Sequence, residues 1–260
     1  MDDKAQAASD LLYAHWMNGT RIDGLPEALR PADEAQGYAI QQRIERRSEG
    51  PIFGWKIAAT SEAGQAHIRV TGPLAGRILP QRVLDDGGIC ILGANLMRVA
   101  ELEFAFRMGD TLMPRADPYS TQEVLDRVET LHPAIEIPDS RFDHFERVGA
   151  AQIAADNACA HDFMLGAASR VEWREIDLAD HQVTGTINDT DIHHGIGRNV
   201  LGDPRIALAW LANRLSALDI ALKAGQVVTT GTCVVPMAIA AGDRIRGDFG
   251  VLGTVSLSIV

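Results

Sequence analysis

Two glutamates separated by one residue constrain this chain more than any other feature: Glu101 and Glu103, in the run Val99-Ala100-Glu101-Leu102-Glu103-Phe104-Ala105-Phe106. The run alternates with the period of a β-strand, in which side chains two apart point to one face. Leu102, Phe104 and Phe106 are large and apolar, so the strand is covered on at least one side. Two carboxylates held side by side in such a place repel each other and lose hydration. They require protons, cationic partners or a metal ion. A hard divalent cation with oxygen ligands resolves the conflict best, and it points to catalysis on an oxyanion substrate. The alternative is a solvated strand face, with the glutamates bridged by Arg98, Arg107 or Arg141.

Glu136 is the third carboxylate of interest, flanked by apolar residues in Ala134-Ile135-Glu136-Ile137. Placed beside Glu101 and Glu103 it completes an all-carboxylate set, which favours Mg2+ or Mn2+ over zinc or copper. Lys56 follows Phe53-Gly54-Trp55 and precedes Ile57-Ala58-Ala59, so its ammonium belongs to an apolar strand. Burial lowers a lysine pKa towards the range of a usable acid or base, and neighbouring carboxylates raise it. A lysine that snorkels to the surface fits the same residues. Thr229-Thr230-Gly231-Thr232 offers hydroxyls and backbone N–H groups that can hold a carboxylate, or is an ordinary strand of β-branched residues. His193-His194-Gly195 reads as a surface loop, because adjacent histidines on one strand face opposite ways. Gly195-Ile196-Gly197 lacks the remainder of a dinucleotide fingerprint.

Composition narrows the class of protein. The chain has 260 residues, 46% hydrophobic and 23% charged, enough for a substantial core. Its 24 Lys plus Arg against 35 Asp plus Glu leave a net charge of -11, which argues against nucleic-acid and anionic-membrane partners. No apolar run approaches the ~20 residues needed to span a bilayer. Cys90, Cys159 and Cys233 are far apart and in no metal-ligand spacing, so they read as reduced thiols packed as small hydrophobes. The acidic start, Met1-Asp2-Asp3-Lys4, has no apolar core of a signal peptide. A cytoplasmic protein is expected.

Helices are expected over 3–18 and 32–48, then a strand over 52–58 entered from Gly50-Pro51. Strands follow at 89–92 and 99–107. Ser120-Thr121-Gln122-Glu123 is a capping box opening a helix with Val124, Leu125, Val128 and Leu131 on its apolar side. A short strand at 134–138, a small-residue helix near 149–160 and strands near 164–171 and 182–189 come next. Asp203-Pro204 opens the longest helix, and strands near 226–232, 243–249 and 252–259 close the chain. Strands outnumber helices and βαβ alternation is poor, so a mixed sheet curled on itself is expected.

Gly54-Trp55-Lys56-Ile57, Ala100-Glu101-Leu102-Glu103, Pro133-Ala134-Ile135-Glu136-Ile137-Pro138-Asp139-Ser140-Arg141, Ala155-Asp156-Asn157 and Leu222-Lys223-Ala224-Gly225-Gln226 occur in family order over nearly the whole chain. Together they resemble the 2-keto-4-pentenoate hydratase and 4-oxalocrotonate decarboxylase branch of the fumarylacetoacetate hydrolase superfamily. The resemblance implies an α+β fold, a mixed β-roll with an N-terminal helical extension. One continuous globular unit is then divided into a helical and α/β segment over 1–75 and a catalytic body over 76–260. It implies a Mg2+ or Mn2+ site on Glu101, Glu103 and Glu136, an active-site lysine at Lys56, and substrate-holding hydroxyls at Thr230 and Thr232. The partners implied are a small 2-oxo acid and further copies of the chain, with a complex with a pathway enzyme left open. The implied activity is hydration of a 2-hydroxypenta-2,4-dienoate-type acid to a 4-hydroxy-2-oxo acid in aromatic-compound catabolism. Decarboxylation of an oxo-enedioate, cleavage of an acylpyruvate and a non-catalytic partner subunit are the alternatives; cleavage is less favoured because His67 lacks a recognisable partner. The chain departs from the family in two places. No acid follows Gly72-Pro73-Leu74 before Pro80, since Asp85 and Asp86 come too late, and the segment after the final glycine is Thr232-Cys233-Val234-Val235-Pro236. Both bear on the substrate and the reaction.

Overall fold

The structure is a computed structural model and describes residues 2–260. Helices α1 (Asp2–Asn18) and α2 (Glu34–Gln42) come first, the second capped by the Asp33 carboxylate on the Gln36 N–H and extended by a 3-10 turn, Arg43–Arg47. Next are β1 (Gly54–Ala58), α3 (Glu62–Ile68), β2 (Leu74–Ile78), β3 (Val83–Leu84), β4 (Ile89–Cys90) and β5 (Val99–Met108). The middle of the chain supplies α4 (Thr121–Leu125), β6 (Val128–Ile137), α5 (Ala150–Ala155), β7 (Asp162–Leu165), β8 (Gln182–Ile187) and β9 (Asp191–Ile196). It ends with α6 (Pro204–Ala217), β10 (Val227–Thr232), β11 (Met237–Ala238), β12 (Arg244–Asp248) and β13 (Thr254–Ile259). No helix among the described residues is long and apolar enough to cross a membrane.

Two sheets form the body. The larger runs β2-β1-β10-β5-β6-β7-β3, with β11 added at the start of β5, and the smaller runs β4-β13-β12-β8-β9. The first is mixed: β1 with β10 and β3 with β7 are parallel, and the other pairs are antiparallel. Strand alternation sorts β5 into two faces. Leu102, Phe104 and Phe106 belong to the main core; Leu102 abuts Gly185 and Gly247 of the second sheet, and Phe104 meets Phe249 edge-on at 5.2 Å. Glu101, Glu103 and Ala105 occupy the opposite face. Burial of the apolar set, worth about 25 cal/mol per Å² removed from water, fixes the register that puts the acids there.

The N-terminal helices cover the free edge of β2. Tyr38 accepts the Ala75 N–H at 3.0 Å, and Gln41 donates to the Ala75 and Ala154 carbonyls at 2.8 Å each. These side chains take the place of a neighbouring strand, which blunts an otherwise exposed edge. Arg141 and Asp156, both fully buried, form an ion pair beneath the turn that follows α5, and Arg141 also donates to the Asp139 and Ala160 carbonyls at 2.9 and 3.1 Å.

Several sequence expectations change. The capping box forms between Ser120 and Glu123, yet α4 stops at Leu125, and Val128 and Leu131 belong to β6. Their spacing suits a helix face, but long-range pairing with β5 overrides it. The strand expected at 134–138 is the end of this ten-residue strand. The expected helix over 32–48 is α2 followed by a 3-10 turn. The 17-residue α1, rather than the 14-residue α6, is the longest helix. The reading passes over α3, β2 and β9; His193 and His194 lie on β9, an edge strand, and not in a loop. A division after residue 75 falls inside β2, and β1 and β2 form one end of the main sheet. Replacing Arg141 by Met leaves the buried Asp156 carboxylate unpaired, so denaturant unfolding of Arg141→Met should show a loss of about 3–5 kcal/mol. A loss within a few tenths would mean the pair does not hold the turn.

Candidate active site

The pairing of β5 with β6 sets Glu101 directly opposite Glu136, while Glu103, two residues along β5, faces Ala134. All three carboxylates therefore stand on one face. One oxygen from each lies within 4.8 Å of the others. Like charges directly opposite on neighbouring strands are unfavourable even at a surface, and Glu103 and Glu136 are buried, at 0% and 2% exposure. Glu101 is half-buried, so the cluster opens to solvent on its side.

Lys56 reaches this face from β1. Its Nζ lies 3.0 Å from Glu136 Oε1 and donates to the Ala158 carbonyl at 3.0 Å. From β10, the Gly231 N–H donates to Glu103 Oε2 at 2.7 Å, and the Thr229 hydroxyl donates to the same oxygen. A β-bulge makes both contacts possible: Thr229 pairs with Ala105 and Thr232 with Glu103, so one extra residue sits on β10. Gly231 absorbs it at φ +96, where a Cβ would lie 2.0 Å from the Thr60 hydroxyl.

The electrostatics follow from this crowding. Burial, then the Glu136 charge, pushes the Glu101 carboxyl up to about 7, against the pull of Lys56. Burial, then Glu136 and Glu101, holds Glu103 well above the carboxylate range. Burial also raises Glu136 despite its contact with Lys56. For Lys56, burial pulls downward, but Glu136, Glu101 and Glu103 together outweigh it and keep the ammonium charged. One cation thus stands against three acids. Glu103 Oε1 and Glu136 Oε2 are buried with no hydrogen-bond partner. Two orphaned carboxylate oxygens beside the half-buried Glu101 fit a hard divalent cation in donor type and in charge.

The structure thus brings together Lys56, Glu101, Glu103 and Glu136. The arginines considered as bridges are engaged elsewhere: Arg98 on the Asn95 carbonyl, Arg107 on the Gly225 carbonyl and Arg141 on Asp156. The two threonines named from sequence fare differently. The Thr230 hydroxyl is buried and donates to the Phe104 carbonyl at 2.9 Å, so it is committed to the backbone. Thr232 lies opposite Glu103, with its hydroxyl on the Val234 carbonyl at 2.7 Å. Thr229, named from sequence only as part of the hydroxyl-bearing segment, is the hydroxyl on the acids; an even alternation back from Thr232 misses it, and only the glycine signals the bulge. The stretch after Gly72-Pro73-Leu74 carries no acid to Lys56: Gly76 lies opposite Lys56, and Arg77 points to the other face, over Trp55 and onto Glu45. Cys90, Cys159 and Cys233 are buried free thiols.

No family model matches the chain. A 2-keto-4-pentenoate hydratase 1 from Dechloromonas aromatica (strain RCB) is 32% identical over 254 residues, 96% of this chain and 95% of that protein. A 4-oxalocrotonate decarboxylase from Pseudomonas putida is 30% identical over 230 residues, 87% of this chain and 85% of that one. The structure of the 4-oxalocrotonate decarboxylase from Pseudomonas putida G7, complexed with magnesium and adipate, superposes with a TM-score of 0.90. That match covers 100% of this chain and 98% of the other at 25% identity.

A pH dependence follows. The metal-free folded chain keeps on Glu101 a proton that the unfolded chain releases near 4.5, so its stability falls as pH rises from there through about 7. A bound divalent cation relieves that penalty. The rise in Tm on saturation with Mg2+ should therefore be larger above pH 7 than near pH 4.5, and Glu103→Gln and Glu136→Gln should each diminish it. A rise that is the same across this range, or unchanged in both variants, would remove the three acids as the site.

Proposed function

This chain belongs to the hydratase and decarboxylase branch of the fumarylacetoacetate hydrolase superfamily, and on that premise we propose that it hydrates a short unsaturated 2-oxo acid. Its α+β architecture, a mixed β-roll with N-terminal helices, is the fold of that family. The observation that carries the proposal is the Lys56 ammonium set 3.0 Å from Glu136 on the face bearing Glu101 and Glu103. A proton carrier next to an oxygen-lined cation site suits chemistry through an enolate.

Glu101, Glu103 and Glu136 would hold Mg2+ or Mn2+. When bound, such an ion supplies electrostatic stabilisation of negative charge on the carboxylate and 2-oxo oxygens of the substrate. Lys56 is the residue that moves a proton, converting a 2-hydroxydienoate to the conjugated ketone. Water then adds at the carbon conjugated to that ketone, giving a 4-hydroxy-2-oxo acid. Among the described residues, the groups that act electrostatically on Lys56 are the three glutamates and Cys159. Burial pushes the Cys159 thiol up to about 12, so it stays protonated and adds no charge beside the Lys56 ammonium. Thr229 and the Gly231 N–H hold Glu103 rather than the substrate, and the Thr232 hydroxyl, at the edge of the same face, would meet a substrate carboxylate only by giving up its bond to the Val234 carbonyl. Thr230 enters this reading only as a brace for the β10 backbone.

The second reading is decarboxylation of an oxo-enedioate. It is favoured by the full-length superposition on a decarboxylase and by the lack of an acid on β2 facing Lys56. Both reactions begin from the same charge distribution. Purified protein with Mg2+ and each class of acid should release a 4-hydroxy-2-oxo acid from the dienoate and no CO2; CO2 from the enedioate, with no hydroxy acid from the dienoate, would replace hydration by decarboxylation. Lys56→Ala should lower kcat by about 10²–10⁴-fold while keeping the stabilisation by Mg2+. Full turnover in Lys56→Ala would remove the lysine as proton carrier.

A further inference from the structure

Lys56 has a second acceptor, and the way that acceptor is built is unusual. Ala158, whose carbonyl takes the Nζ proton at 3.0 Å, is the middle of three consecutive non-glycine residues in the left-handed region: Asn157 at φ +54, Ala158 at +49 and Cys159 at +60. Each such residue costs free energy, and the conformation persists only where the surroundings impose it. Beside the Arg141–Asp156 pair, the contact that docks this turn on the sheet is the Asn157 side chain. Its Oδ1 accepts the Arg77 N–H at 2.7 Å, and its Nδ2 donates to the Arg77 carbonyl at 2.8 Å. A single carboxamide thus satisfies both outward-facing backbone groups of one residue on the free edge of β2, as a further strand would. Gly76 makes the approach possible: a Cβ there would lie 2.3 Å from the Asn157 carbonyl and 3.0 Å from Lys56 Cδ.

We propose that Asn157 is a positioning residue for Lys56: by docking on β2 it locks the 157–159 turn so that the Ala158 carbonyl and Glu136 together orient the ammonium. A lysine ammonium has three N–H donors. With one on Glu136 and one on Ala158, the direction of the third is fixed, and that is the proton left to meet the substrate. The inference rests on the reading of Lys56 as proton carrier, and it explains why a flexible side chain can deliver a proton to one carbon.

The test is Asn157→Gly, which adopts positive φ without cost but lacks the carboxamide. The expected result is a kcat lowered about 10–100-fold, with KM and the Mg2+ midpoint within about threefold of the natural chain. The chain has three lysines, Lys4, Lys56 and Lys223, so the acylation of each by an acetyl N-hydroxysuccinimide ester can be followed by mass spectrometry. Lys56 should react about tenfold faster in Asn157→Gly, with Lys4 and Lys223 unchanged, as the restraint on it opens. An unchanged kcat would overturn the proposal, because glycine would then have supplied all that asparagine does. A loss of Mg2+ affinity matching the loss of kcat would also overturn it, making the turn a support of the acids. Should the natural chain turn over no 2-oxo acid, the functional reading fails and the acylation arm decides alone: faster reaction at Lys56 sustains the positioning role, and an unchanged rate removes it.

Discussion

Three carboxylates that cannot all be ionised in one another's company, set on the buried face of paired strands, are the constraint around which this molecule is arranged. Every contact near them answers that repulsion. Lys56 supplies one positive charge, the Gly231 N–H and the Thr229 hydroxyl satisfy one oxygen of Glu103, and two oxygens stay unpartnered. A fold selected for stability alone would exchange these groups for apolar ones, since isolated buried charges cost more than their pairing returns. Such a cluster, with two unpartnered oxygens, is one that could hold a metal ion.

The rest of the architecture gives this face its rigidity. The opposite side of β5 is packed with aromatic and aliphatic residues against the second sheet, so the strand cannot slip without turning its acids into the core. The bulge at Gly231 brings the β10 N–H to Glu103, and the ion pair of Arg141 with Asp156 anchors the turn that meets Lys56. Helix α2 closes the sheet edge with the Tyr38 hydroxyl and the Gln41 carboxamide, making the N-terminal helices part of the frame of the site.

That frame also explains why relatives named for hydration and for decarboxylation resemble the chain to nearly the same degree, at 32% and 30% identity. Each reaction proceeds through negative charge developing next to a carboxylate, and the same three acids and one ammonium can serve both. Under the proposed function, the residues around Lys56 are where the two reactions can differ. In this chain β2 offers a glycine there, and the 157–159 turn fills the space.

Local patterns in the amino-acid order are enough to put Glu101 and Glu103 on one face, because alternation along a strand is a property of neighbours; Glu136 joins them only through the pairing of β6 with β5. The Glu101–Glu103 pair, the isolated Glu136 and Lys56 were all readable in this way, as were the N-terminal helices and most strands. Readings that depended on partners far along the chain went astray. The Ser120 capping box started a helix, but its apolar followers were drawn into β6 by pairing with β5. Thr230, read as a substrate-holding hydroxyl, is committed to the Phe104 carbonyl, while a bulge in β10 brings Thr229 to Glu103. Strand β2 and the Ala158 carbonyl give no local sign, and Ala155-Asp156-Asn157 is legible only as a family motif, since each acts through a residue about 80 to 100 positions away. Spacing along the backbone reports which side chains share a surface; which surfaces meet depends on packing summed over the whole core, and no short stretch encodes it.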